Sequence, residues 1–165
     1  MRSHYTYLWT GQEFRLHESD GPRPLVHAGS NRFLDRGVQP GDFLYIWSYL
    51  QGKLYVIGRI EVDEVGPLER IRTRLRYLRS DNPYSDHVVA RSPMSKQFNT
   101  TVPLKIILKL RFIDPGGQVK SVVLRPDGRP EPQTFRGVRR IQPASAALLD
   151  VLLRLRGPKP DKRSA

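Results

Sequence analysis

The side chains best able to do chemistry in this chain are flat rings and guanidinium groups. Phe43, Tyr45, Trp47 and Tyr49 alternate with Leu44, Ile46, Ser48 and Leu50. A strand sends successive side chains to opposite faces, so the four rings share one face. Tyr5, Tyr7 and Trp9 repeat the pattern near the N-terminus. A face of rings is either core or a platform on which a nucleobase can stack. If the two striped strands are neighbours in one sheet, the stripes can merge into a single aromatic surface.

Charge narrows the choice of ligand. The 165 residues hold 28 Lys and Arg against 16 Asp and Glu, a net charge of +12. Arg outnumbers Lys 21 to 7. An excess of cations favours a polyanionic partner, because neutralised phosphates release condensed counterions. Guanidinium forks match phosphate oxygens and stack on bases. A general compositional preference for Arg would give the same count without a function. Residues 67–78 read as a basic amphipathic helix. Leu68, Ile71, Leu75 and Leu78 form its apolar stripe, and Arg70, Arg72, Arg74 and Arg76 flank it. These four arginines are the candidate phosphate contacts. The alternative is a packed helix with a solvated cationic rim.

Signals for catalysis are sparse. The sequence has no P-loop, no dinucleotide-binding fingerprint and no nucleophile elbow. Cys is absent, so thiolate chemistry and disulfides are excluded. His4, His17, His27 and His87 lack metal-ligand spacing. No cofactor is expected, and the leading expectation is a non-catalytic protein. No apolar run reaches the roughly 18–20 residues of a membrane span. The N-terminal MRSHYTYLW lacks a signal-peptide core, so a cytoplasmic protein is expected.

The elements that must position these groups follow in order. Residues 4–10 form a strand, and 11–24 read as a polar loop broken by Gly21, Pro22 and Pro24. Residues 25–29 are a short apolar segment. Ser30 or Asn31 could cap a short helix over 32–36 that Gly37 ends. Pro40-Gly41-Asp42 turns into a hairpin, 43–50 and 53–61, around Gln51-Gly52. Residues 86–90 suit a strand. Residues 101–113 fit a strand or a short helix, and both stay open. Residues 119–124 suit a strand, 133–141 an extended segment and 143–155 a helix. The pattern is α+β in a single domain over 1–157, followed by a basic tail over 158–165.

The order of these pieces resembles the PUA-like superfamily, in particular its EVE and YTH branches. The resemblance rests on a first strand ending near Tyr7 and Trp9. It continues with Gly29-Ser30-Asn31 ahead of Pro40-Gly41-Asp42, and with the hairpin YIWSYLQGKLYVIGRI. PLKIILKLRFI, a later R-x-I-x-P segment and a terminal helix complete it. It implies a curved β-barrel of about five or six strands with a few short surrounding helices. It also implies a pocket for a flipped, often modified base. By position the pocket falls to Trp9, His27, Ser30, Asn31, Trp47 and Ser48, with His27 as a flat wall and Asn31 reading the base edge. The implied partner is DNA or RNA, with a separate effector protein as a further possibility. Two alternatives stay open. One is an enzyme on the same fold, with His27 or Asp42 as its acid–base group. The other is a protein-interaction or small-ligand module with an incidental basic surface.

Overall fold

The structure is a computed structural model and describes residues 1–75 and 83–155. In chain order its elements are β1 (His4–Leu8), α1 (Gly11–Ser19), β2 (His27–Ser30), β3 (Phe43–Leu50), β4 (Lys53–Gly66) and α2 (Leu68–Ile71), which runs into a 3₁₀ turn (Arg72–Arg74). They continue with β5 (Asp86–Ala90), α3 (Leu104–Ile107), β6 (Arg111–Ile113), β7 (Val119–Ser121), a 3₁₀ turn (Pro132–Phe135), β8 (Val138–Ile141) and α4 (Pro143–Leu152). The strands form one eight-stranded sheet in the order β2-β5-β4-β3-β1-β8-β6-β7, curled into a half-barrel. Mixed α+β with few short helices is as expected. The eight strands exceed the five or six expected, because the segment that includes His27–Ser30, read as a short apolar stretch, forms β2 against β5.

The β3–β4 hairpin is the centre of the sheet. At its tip Gln51 (φ 49°) and Gly52 (φ 77°) both adopt left-handed backbone, which matches the twist of the strands. A one-residue bulge then interrupts the register. Ile46 lies opposite Gly58 but Trp47 lies opposite Val56, so Ile57 is the extra residue. The bulge reverses the alternation of β4. Leu54 and Val56 enter one apolar layer with Phe43, Tyr45 and Trp47. Ile57, Ile60 and Val62 enter the other, with Leu44 and Ile46. Gly58 makes room for Leu25, since a Cβ there would lie 2.8 Å from Leu25 Cδ2 and push that side chain aside.

β1 runs parallel to β3, with Tyr5 beside Leu44 and Tyr7 beside Ile46. Neighbours in register share a face, so Tyr5, Tyr7 and Trp9 join the layer of Leu44 and Ile46. The two aromatic stripes therefore lie on opposite faces of the sheet and do not merge.

Several local expectations change. Residues 11–19 are helical rather than loop, because Thr10 and Glu13 form a reciprocal capping box that starts α1. Phe14 anchors that helix in the core. The helix expected over 67–78 stops early, at the 3₁₀ turn. Pro67 offers no side-chain cap, and Leu75 is already extended. Residues 76–78 lie outside the described residues, as do Arg76 itself and the tail. Residues 31–37 form a hydrogen-bonded turn rather than an assigned helix, closed by Gly37 at φ 83°. Both readings of 101–113 hold in succession, since Pro103 precedes α3 and Arg111–Ile113 is β6.

Gln51 carries the strain of a left-handed position that asparagine tolerates better. Gln51→Asn should stabilise the fold by about 0.5–1 kcal/mol, read as a raised urea midpoint with an unchanged m-value.

Candidate nucleic-acid interface

The residues expected to wall a base pocket are not brought together as one pocket. Trp47 is 0% exposed. Phe112 and Phe135 pack edge-on against it at 6.1 and 5.3 Å, and its Nε1 donates to the Phe135 carbonyl at 3.3 Å. It offers no ring face to a ligand. Trp9, 3% exposed, lies in the opposite layer. His17 of α1 stacks on it at 4.0 Å, nearly coplanar. Ser48 is buried and ties β3 to the end of β1 by donating to the Trp9 carbonyl at 2.8 Å. Ser30 accepts from the Arg32 amide at 3.1 Å and closes the 31–37 turn. Asn31 accepts from the Ser85 amide at 2.8 Å and holds that turn against the start of β5.

His27 has a different neighbourhood from the one expected. Its Nε2 lies 2.7 Å from His87 Nδ1, with the two rings stacked at 5.0 Å. His87 Nε2 lies 2.8 Å from the Tyr84 carbonyl. A carbonyl only accepts, so His87 Nε2 carries its proton. With the ring neutral, His87 Nδ1 accepts from His27 Nε2–H. Burial, then the neighbouring His87 and His17, lower the His27 pKa to about 3. His17 falls to about 4 through burial and through Lys96, whose Nζ lies 3.3 Å from its Nδ1. Asp42, the other acid–base candidate, accepts from the amides of Ser3 at 2.9 Å and Gln39 at 3.0 Å. It holds the turn into β3.

The arginines sort into two groups. Arg70 pairs with Glu64 at 2.9 Å and donates to the Val65 carbonyl. Arg74 pairs with Asp63 at 2.6 Å and Glu64 at 3.1 Å. Arg91 joins the same carboxylate row through Asp63 at 3.1 Å and Glu61 at 3.2 Å. Asp63 and Glu64 are thus partners of these arginines, not free solvated ends, and the Asp63 pKa is lowered by hydrogen bonds from Arg74 and Arg91. Arg72 is exposed and has no ion pair among the described residues.

The second group escaped the sequence reading. A cleft of about 990 Å³ is lined by five arginines, Arg32, Arg36, Arg136, Arg139 and Arg140, with Tyr5 also in its lining. One wall is the 31–37 turn. The other runs from the second 3₁₀ turn into β8, which pairs antiparallel with β1 and sets Arg140 beside Tyr5. Arg139 is part of the wall itself. It covers the Phe112 ring at 4.3 Å and donates to the Thr134 carbonyl, and burial followed by Arg36 lowers its pKa. The two aspartates of the cleft are engaged. Asp35 pairs with Arg32 at 3.2 Å. Asp114 accepts from the Gln118 amide at 2.8 Å and faces Lys120 at 3.8 Å. Arg36, Arg136 and Arg140 are exposed and have no ion pair among the described residues.

Among the described residues no group of three or more His, Asp or Glu could hold a metal ion, and no helix is long and apolar enough to cross a membrane. Comparison of the chain with protein-family models, with curated proteins and with solved structures finds no match.

His27 and His17 make stability depend on acid. Their folded pKa values lie below the ordinary 6.5, so the unfolded chain takes up protons first as pH falls. Their contribution is complete above pH 6.5 and is lost as pH drops toward 4 and then 3. His27 alone gives a slope of up to about 1.4 kcal/mol per pH unit in that window. Urea midpoints measured from pH 7 to 4 should fall steeply in the wild type and less steeply in His27→Gln, whose amide can still donate to His87.

Proposed function

We propose that this chain is a non-catalytic nucleic-acid-binding module of PUA-like architecture that holds the phosphate backbone in the arginine-lined cleft. The observation that carries the reading is the convergence of five arginines from two distant segments on one concave site, three of them without an ion pair among the described residues. Gathering like charges costs energy unless a polyanion relieves it. Such a partner also gains the entropy of released counterions. Internal ion pairing does not account for the group, because exposed Arg36, Arg136 and Arg140 have no carboxylate partner among the described residues.

The reading keeps the nucleic-acid partner inferred from composition and relocates its contacts. Arg70 and Arg74 serve the fold by neutralising the acidic end of β4, while the cleft serves the ligand. It also drops the shared cage of Trp9 and Trp47, which sit on opposite faces of the sheet. The separate effector protein remains part of the proposal, since a module that only binds needs another protein to act on what it holds.

Fluorescence anisotropy with labelled oligonucleotides tests this. Replacing Arg36 and Arg140 together by Gln should weaken binding by about tenfold or more at low salt and flatten the dependence of log K on log salt. Arg74→Gln should change affinity by less than about threefold, since its charge is already spent on Asp63 and Glu64. Equal losses in both variants, or no binding by the wild type, would remove the cleft from the explanation.

A further inference from the structure

We infer that the cleft takes a single strand, phosphates inward and bases outward, and holds it without regard to sequence. This rests on the nucleic-acid reading above and names the class of nucleic acid.

Three observations point there. The lining arginines come from two segments, Arg32 and Arg36 from the 31–37 turn, Arg136 and Arg140 from the chain leading into and through β8. A backbone lying between the walls meets both banks at once. A duplex carries its phosphates on the outside of a stiff cylinder, and it would rest on the rim of a concave site rather than enter it. A single strand is flexible enough to follow the floor.

The lining is also poor in flat surfaces. Tyr5 is its sole aromatic ring, and only 4% of that residue is exposed. Single-strand sites that hold bases do so by stacking them on exposed rings. Among the described residues no exposed ring lines the cleft, and guanidinium groups that hold phosphates are not free to stack on bases. The strand backbone beside the cleft is already paired in the sheet between β1, β8 and β6.

Finally, glycines keep the walls open. Gly37 and Gly137 both line the cleft with left-handed backbone, and a Cβ on Gly137 would meet nothing within 4 Å. Backbone without side chains lets a phosphate come close to the chain beside Arg36 and Arg136.

Three unpaired guanidinium groups set the expected salt dependence. At about 0.7 released counterions per phosphate contact on a single strand, log K should fall against log salt with a slope of about −2. Arg36→Gln and Arg140→Gln should each reduce that slope by about 0.7.

The test uses the full chain and labelled fifteen-nucleotide oligonucleotides: dT, dA and mixed-sequence single strands, and a hairpin duplex of matching charge. Circular dichroism confirms that the surface variants fold. The inference expects the single strands to bind alike, within about threefold, and about tenfold tighter than the duplex. It also expects Arg36→Gln and Arg140→Gln to weaken all single strands equally. A duplex that binds as tightly as single strands, with the same sensitivity to both substitutions, overturns the single-strand inference and leaves the nucleic-acid reading standing. A strong preference among the single strands overturns the outward-base arrangement. Absence of binding, or binding indifferent to Arg36 and Arg140, overturns both.

Discussion

The parallel register of β1 on β3, together with the bulge at Ile57, decides where every aromatic side chain of the centre goes. The register puts Tyr5 and Tyr7 beside Leu44 and Ile46, on the face away from Tyr45 and Trp47. The bulge lets one long strand serve both layers, Leu54 and Val56 on one side, Ile57, Ile60 and Val62 on the other. A slip of one residue at either place would turn a whole stripe over. The rest of the architecture follows from these two settings. α1 covers Trp9 through His17 and Phe14 on one face, and α4 with the second 3₁₀ turn covers Trp47 on the other. The arginine cleft forms beside Tyr5 because β8 takes its place on the free side of β1.

The sequence was most informative where structure is local. Alternation located β1, β3 and β4, and the Gln51-Gly52 pair located the hairpin tip. α4 was legible from Pro143 and its leucines. Local signals also existed where the reading missed them, as with Thr10 and Glu13 at the start of α1. The relation between the two aromatic stripes was not legible. Alternation shows that side chains share a face of their own strand, but only the register between strands shows whether two such faces coincide. The cleft was hidden for the same reason. Arg32 and Arg36 lie about a hundred residues from Arg136 and Arg140, and they meet through long-range pairing. The arginines that stood out along the chain, Arg70 and Arg74, stood out because they are close in sequence. That closeness also brings them near Asp63 and Glu64.

Polar groups inside the fold are used to join elements. Ser48 links β3 to the end of β1, and Asp42 binds the 39–42 turn to residue 3. Tyr45 donates to Asp150 at 2.7 Å, and Arg59 donates to the same oxygen at 3.0 Å, which fastens α4 to the hairpin. His27 and His87 join β2 to β5 and the 83–85 segment. Each bond satisfies a group that would be costly to bury alone.

The division of the arginines has one more consequence. Charge at the end of β4 is largely paired, with Glu61, Asp63 and Glu64 set against Arg2, Arg70, Arg74 and Arg91. Charge at the cleft, two strands away across β3 and β1, is not cancelled. Among the described residues the cleft is thus a local concentration of unpaired positive charge. Within a screening length of about 8 Å in physiological salt, a polyanion exerts a torque as well as a pull. Under the proposed function a polyanion would meet the chain cleft-first more often than at random, and more encounters would begin in a productive orientation.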